Sequence, residues 1–176
     1  MNRLPDIKVM DVAKRSQLKA NAERLLQTGK ETQKTQAKAT LEELRRLDGE
    51  ERQALREAIA ELPTTKRVAK AFTALPPTDT EATLLRVLLD NPDKSSEALS
   101  VAMKWKGNSW HMHFGKMCER RKHLLWAAEP SETRDANFYC GILVTYSHSS
   151  HGFTMKPEAA HGLAAIGIFP SKRGDR

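Results

Sequence analysis

The chain has little of what holds small secreted or membrane proteins together. Two cysteines among 176 residues cannot form a disulfide framework, and they read as reduced thiols of a cytoplasmic protein. No run approaches the ~20 apolar residues of a membrane span. The opening MNRLPDIKVMDVAKRSQ carries acids and no hydrophobic stretch, so it is not a signal peptide. Phosphate-cradling glycine loops, G-x-S-x-G, H-E-x-x-H and paired acids in an apolar setting are all missing, which argues against an enzyme. Also missing are C-x-x-C and H-x-x-x-H pairs. His111 and His113 lie about 200° apart on a helix and cannot face one ion. No cofactor or metal is expected, although a metal sensor drawing on His111, His113, Cys118, Cys140, His148, His151 and His161 is an alternative.

Aromatic residues make up only 6% of the chain, yet all three tryptophans fall within WKGNSWHMHFGKMCERRKHLLW, from Trp105 to Trp126. Stepping about 100° per residue from Trp110 places Phe114, Met117, Cys118, Arg121, Leu124 and Leu125 on one face. Asn108, Ser109, Met112, Lys116, Glu119, Arg120 and His123 take the other. Asn108 and Ser109 are expected to start this helix, because their side chains accept from free N–H groups. Arg121 lies on the buried stripe and is expected to reach back to an acid.

The remaining elements follow from caps and breaks. Residues 11–27 predict a helix stopped by Gly29, and residues 30–39 an exposed polar stretch. A capping box of Thr40 with Glu43 opens a helix ended by Asp48-Gly49. A second helix runs from Glu50 to Leu62, giving an antiparallel pair. Residues 66–75 form a further helix, closed by Pro76-Pro77. A second box, Thr78 with Glu81, opens a helix that ends at Asn91-Pro92. Ser95 or Ser96 starts a short helix with Ala98, Leu99, Ala102 and Met103 inward, followed by the turn KWKG. Phe138 to Tyr146 reads as a strand, SHSSHG as a turn and Phe153 to Met155 as its return. Pro157 opens a last helix through Ile166.

The predicted fold class is therefore mainly α with a small β-hairpin. It comprises a basic helical section over residues 1–77, a second domain over 78–170 and a charged tail over 171–176. The thin apolar stripes of the first section predict packing on another copy, making the chain a homodimer. The net charge of +7 favours a polyanionic partner.

Over residues 78–170 the order helix, helix, turn, helix, strand, turn, strand, helix resembles a winged helix-turn-helix domain, as found in many bacterial transcription regulators. The resemblance makes SSEALSVAM the supporting helix, NSWHMHFGKMCERRKHLL the recognition helix and the hairpin around SHSSHG the wing. It implies double-stranded DNA as partner and transcription regulation as role. Ser109, Met112 and Lys116, with Asn108 at the entry, would meet base edges in the major groove. Lys104, Lys106, Arg120 and Lys122 would meet phosphates, and His148 and His151 would sit at the wing. Two departures stand out: Lys104 occupies the turn position usually held by a small residue, and the wing lacks Lys and Arg. The competing expectation is a non-enzymatic adaptor that binds a protein through its N-terminal helices.

Overall fold

A computed structural model describes residues 6–131 and 136–171. The chain is mainly helical, and among the described residues two strands form one antiparallel hairpin. It divides into two compact units, Met1–Leu55 and Arg56–Arg176.

The first unit opens with a short 3-10 turn at Ile7–Val9, followed by α1 (Val12–Thr28) and the start of α2 (Glu31–Ala60). Asp11 caps α1 by accepting from the Lys14 amide, and Gly29 ends it as expected. Ala22 packs with Ala37, Leu41, Leu44 and Leu47 of α2 and with Ile7, while Leu18, Leu25 and Leu26 border this core. Two expectations fail in α2, which is one continuous helix. The polar stretch 30–39 is mostly exposed, as expected, and from Glu31 it belongs to that helix. Thr40 is not a cap, because its hydroxyl donates back to the Gln36 carbonyl at 2.9 Å. Asp48-Gly49 is not a stop, so the expected antiparallel pair of short helices is absent. The apolar row from Ala37 to Leu47 runs past Thr40 without a change of phase, and one interior glycine costs a helix only about 1 kcal/mol.

The division between the units falls within α2. The reason lies in α3 (Thr64–Ala74), which packs along α7 (Pro157–Ala164). Gly162 permits that approach: a Cβ there would stand 2.6 Å from the Thr65 carbonyl oxygen and 2.7 Å from the Val68 Cβ. Val68, Ala71 and Phe72 are buried on the α3 side, Ala159 and Leu163 on the α7 side.

Between them come α4 (Asp79–Asp90), α5 (Ser96–Ala102) and α6 (Trp110–Arg121). The capping box of Thr78 and Glu81 forms as predicted, and Leu84, Leu85 and Leu88 are buried. In α5 only Leu99 of the expected inward set is fully buried. Ala98 and Ala102 are exposed, and Ser96 and Ser100 take the inward face instead.

The predicted strand from Phe138 is shorter than expected. Tyr139–Ile142 is a 3-10 turn, and β1 begins at Val144. A short apolar run does not by itself separate strand from buried turn. Here Cys140 comes within 3.5 Å of where a Gly115 Cβ would stand, seating the turn on α6. β1 (Val144–Ser147) pairs with β2 (Gly152–Met155) in the register Val144–Met155 to Ser147–Gly152. The last helix, α7, ends at Ala164 rather than Ile166. Of the expected tail, residues 172–176 lie outside the described residues.

Candidate nucleic-acid interface

The predicted face of α6 is buried as the helical spacing requires. Trp110, Phe114, Met117, Cys118 and Arg121 are enclosed, and Leu124 and Leu125 continue the stripe beyond the helix. The Trp110 ring stacks on Phe114 with centroids 4.6 Å apart and meets Phe153 of β2 at 5.3 Å. Among the described residues its Nε1 has no hydrogen-bond partner.

The C-terminal end of α6 is held by a charge cluster. Arg121, fully buried, donates to the Leu75 carbonyl at 2.9 Å, the Met117 carbonyl at 3.1 Å and the Pro76 carbonyl at 3.2 Å. It also donates to Glu81 Oε2 at 3.0 Å, and its guanidinium lies 4.4 Å from the Phe72 ring centroid. Burial pulls the guanidinium below its ordinary value, against the bond and charge of Glu81. Burial also opposes ionisation of Glu81. The hydrogen bonds from Arg121 and the Thr78 amide, with the charges of Arg121 and Arg120, outweigh it and hold that carboxyl below the ordinary range. Glu81 therefore caps α4 and anchors α6 at once.

The N-terminal end is capped from another helix. Ser109 occupies the cap position, but its backbone is helical and its side chain makes no cap bond. Asn108, one residue before it, is exposed. Instead Ser100 Oγ accepts from the Trp110 amide at 2.9 Å, and Ser96 Oγ accepts from the His111 amide at 3.1 Å. The turn between α5 and α6 places Lys104 in the left-handed region at φ 58°, with Gly107 at φ 69°. The Trp105 amide donates to the Ser100 carbonyl, closing the turn.

The outer face keeps part of the expected constellation open. Met112 is 56% exposed, Lys116 and Asn108 are exposed, and Ser109 is half-buried. Among the described residues no hydrogen bond or ion pair engages the side chain of Lys104, Lys106 or Lys116. Arg120 and Lys122 are differently placed. Arg120 donates to Glu81 Oε2 at 2.9 Å and to the Pro76 carbonyl at 3.3 Å. Lys122 donates to the Tyr139 hydroxyl at 3.3 Å, and this bond, against desolvation, raises its pKa.

The hairpin is tied to the α4–α5 turn. The Asp93 amide donates to the Phe153 carbonyl at 2.9 Å, and the Phe153 amide donates to the Lys94 carbonyl at 3.0 Å. Ser150 Oγ donates to Asp93 Oδ1 at 2.6 Å. Gly152 is required here, since a Cβ would stand 2.3 Å from Asp93 Oδ1. His148 and His151 are exposed and both meet Tyr146: the His148 ring stands edge-to-face with it at 5.1 Å between centroids, and His151 Nδ1 lies 3.0 Å from its hydroxyl.

Sequence reasoning missed Ser96, Ser100 and Asp93 as organisers. Only the i, i+4 serines of a helix with small apolar residues hinted at the first two. Among the described residues, no group of three or more His, Cys, Asp or Glu could hold a metal ion. Burial pushes the Cys140 thiol up to about 12 and Cys118 well above its ordinary value, so both remain protonated thiols. Among the described residues no helix is long and apolar enough to cross a membrane. No family model matches the chain, and no curated protein or solved structure does either.

Proposed function

We propose that the second unit binds double-stranded DNA, with α6 in the major groove and the β1–β2 hairpin beside it as the wing of a winged helix-turn-helix. One observation carries the reading: on a helix anchored at both ends, half-buried Ser109 at the cap position is followed on the same side by exposed Met112 and exposed Lys116. Met112 is 56% exposed there, a placement that a helix with only a core to serve does not need. A methionine at that position meets a thymine methyl, and a lysine one turn on reaches guanine acceptors. Lys104 and Lys106, exposed and with side chains that make no hydrogen bond or ion pair among the described residues, meet phosphates. Arg120 and Lys122 contribute charge while remaining engaged within the unit. The role is transcription regulation by a non-enzymatic, cytoplasmic homodimer, paired through the N-terminal helices.

The test is fluorescence anisotropy of the full chain on random duplex DNA across a salt series. Affinity falls linearly in log salt, and Lys104→Ala with Lys106→Ala together reduces the slope by about 2 and weakens all sequences alike. Lys116→Ala instead relaxes sequence preference. Absence of binding at low salt overturns the reading. The second reading, an adaptor, draws on Val9 and Val12, which are 80% and 81% exposed at the start of the first unit. A monomer that binds no DNA but loses a protein partner on Val12→Asp would favour it.

A further inference from the structure

We infer that Ser96 and Ser100 are positioning residues for base reading: from α5 they fix the first turn of α6, which carries Ser109 and Met112. This inference rests on the DNA reading above. The first N–H groups of any helix lack partners within it and fray unless something accepts from them. In α6 the local residue at the cap position accepts nothing through its side chain. The acceptors are hydroxyls 10 and 15 residues upstream, at 2.9 Å from the Trp110 amide and 3.1 Å from the His111 amide.

Both hydroxyls are themselves fixed. Ser100 is fully buried and its Oγ donates to the Ser96 carbonyl at 2.8 Å. Ser96 is 6% exposed, and its Oγ lies 2.9 Å from His111 Nδ1. With one lone pair of Ser96 Oγ taken by the His111 amide, its hydrogen can go to Nδ1, which places the imidazole proton on Nε2. Side chain and backbone of His111 are thus held by one hydroxyl.

The consequence is confined to one turn. Met112 follows the capped His111 amide directly, and Ser109 precedes the capped Trp110 amide. Lys116 stands a turn further on, between residues whose neighbours Phe114, Met117 and Cys118 are buried. Loss of the Ser96 cap therefore loosens Ser109 and Met112 and leaves Lys116 in place. Ser96 touches no base in this scheme, and it sets how firmly two base-reading side chains are presented.

The experiment uses the full chain, with selection from a randomised duplex pool for wild type, Ser96→Ala, Ser96→Thr and Met112→Ala. Wild type selects a motif. Ser96→Ala loses preference at the positions that Met112→Ala also loses, with discrimination there falling about five- to tenfold. Affinity for unselected duplex and its salt slope do not change, and Ser96→Thr, which keeps the hydroxyl, restores the motif. Amide hydrogen exchange of the free protein gives an independent readout: Ser96→Ala exposes the His111 amide while the second half of α6 stays protected. An unchanged motif, an even loss across all positions, or an unchanged His111 amide overturns the inference with the DNA reading intact. A wild-type chain that binds no duplex at low salt removes the DNA reading and the inference with it, whatever the amide does.

Discussion

The part of the 30-residue helix α2 that belongs to the first unit buries Ala37, Thr40, Leu41, Leu44 and Leu47 along one edge, and residues 48–54 are exposed. In the second unit α6, with 12 residues, buries a tryptophan, a phenylalanine, a methionine, a cysteine and an arginine. The first unit is held by aliphatic contacts and exposed ion pairs, such as Arg46 with Glu43 and Glu50. Pairs of that kind contribute little in water. The second combines aromatic burial with the enclosed Arg121–Glu81 cluster and caps from neighbouring helices. A long helix is thus a poor guide to local stability; enclosed side chains, each contributing about 1.5–3 kcal/mol when large and apolar, are the better one.

The comparison can be broken most forcefully at Arg121. Arg121→Ala removes a buried cation from three carbonyls and a carboxylate, and lowers the stability of the second unit by about 3–5 kcal/mol. All three tryptophans lie in that unit, so the urea midpoint of tryptophan fluorescence reports it. An effect below 1 kcal/mol would mean that the aromatic core alone holds α6.

Gly162→Ala comes next. Its Cβ would overlap backbone and side chain of α3, so the two helices must separate, at about 1–3 kcal/mol on the same fluorescence transition. If the variant is as stable as wild type, the α3–α7 contact is not part of the second unit's cooperative core.

Acid separates the units by a different route. Glu81 has its carboxyl held below the ordinary range, so the unfolded chain binds its proton more readily than the folded one. Its contribution is fully present above the unfolded value of about 4.3 and is lost as pH falls through the lower folded value. The fluorescence midpoint therefore drops as pH is taken from 5 towards 2, and Glu81→Gln flattens that dependence. Equal slopes in both proteins would assign the acid sensitivity to other carboxylates.

The smallest expected effect is a gain. A Cβ at Gly49 meets nothing within 4 Å, so Gly49→Ala stabilises the middle of α2 by about 0.5–1 kcal/mol. Circular dichroism at the helical band registers it, and fluorescence does not. A shift in the fluorescence midpoint would show that the two units unfold as one.

Much of the second unit was legible because its signals are local or periodic. The box of Thr78 and Glu81, the stop at Asn91, the start at Ser95 and the stripe from Trp110 to Leu125 can each be read from neighbouring residues. So could the expectation that Arg121 reaches an acid, since an arginine on a buried stripe needs one. The continuity of α2 was not legible in the same way. Thr40 and Asp48-Gly49 are genuine local break signals, and they were overridden by an apolar row packing on α1. The outward row of the candidate site was visible as one face of a wheel; the partners of Arg120 and Lys122 were not.

By itself, the sequence determined the helices of the second unit, which face of α6 is buried and where the hairpin turns. These depend on spacing and on preferences that act over a few residues. Only the tertiary structure decided that Ser96 and Ser100 cap α6, that Glu81 serves two helices and that Asp93 holds the hairpin. Those bonds join atoms 10 to 57 residues apart, and no pattern within a single element specifies such a distance.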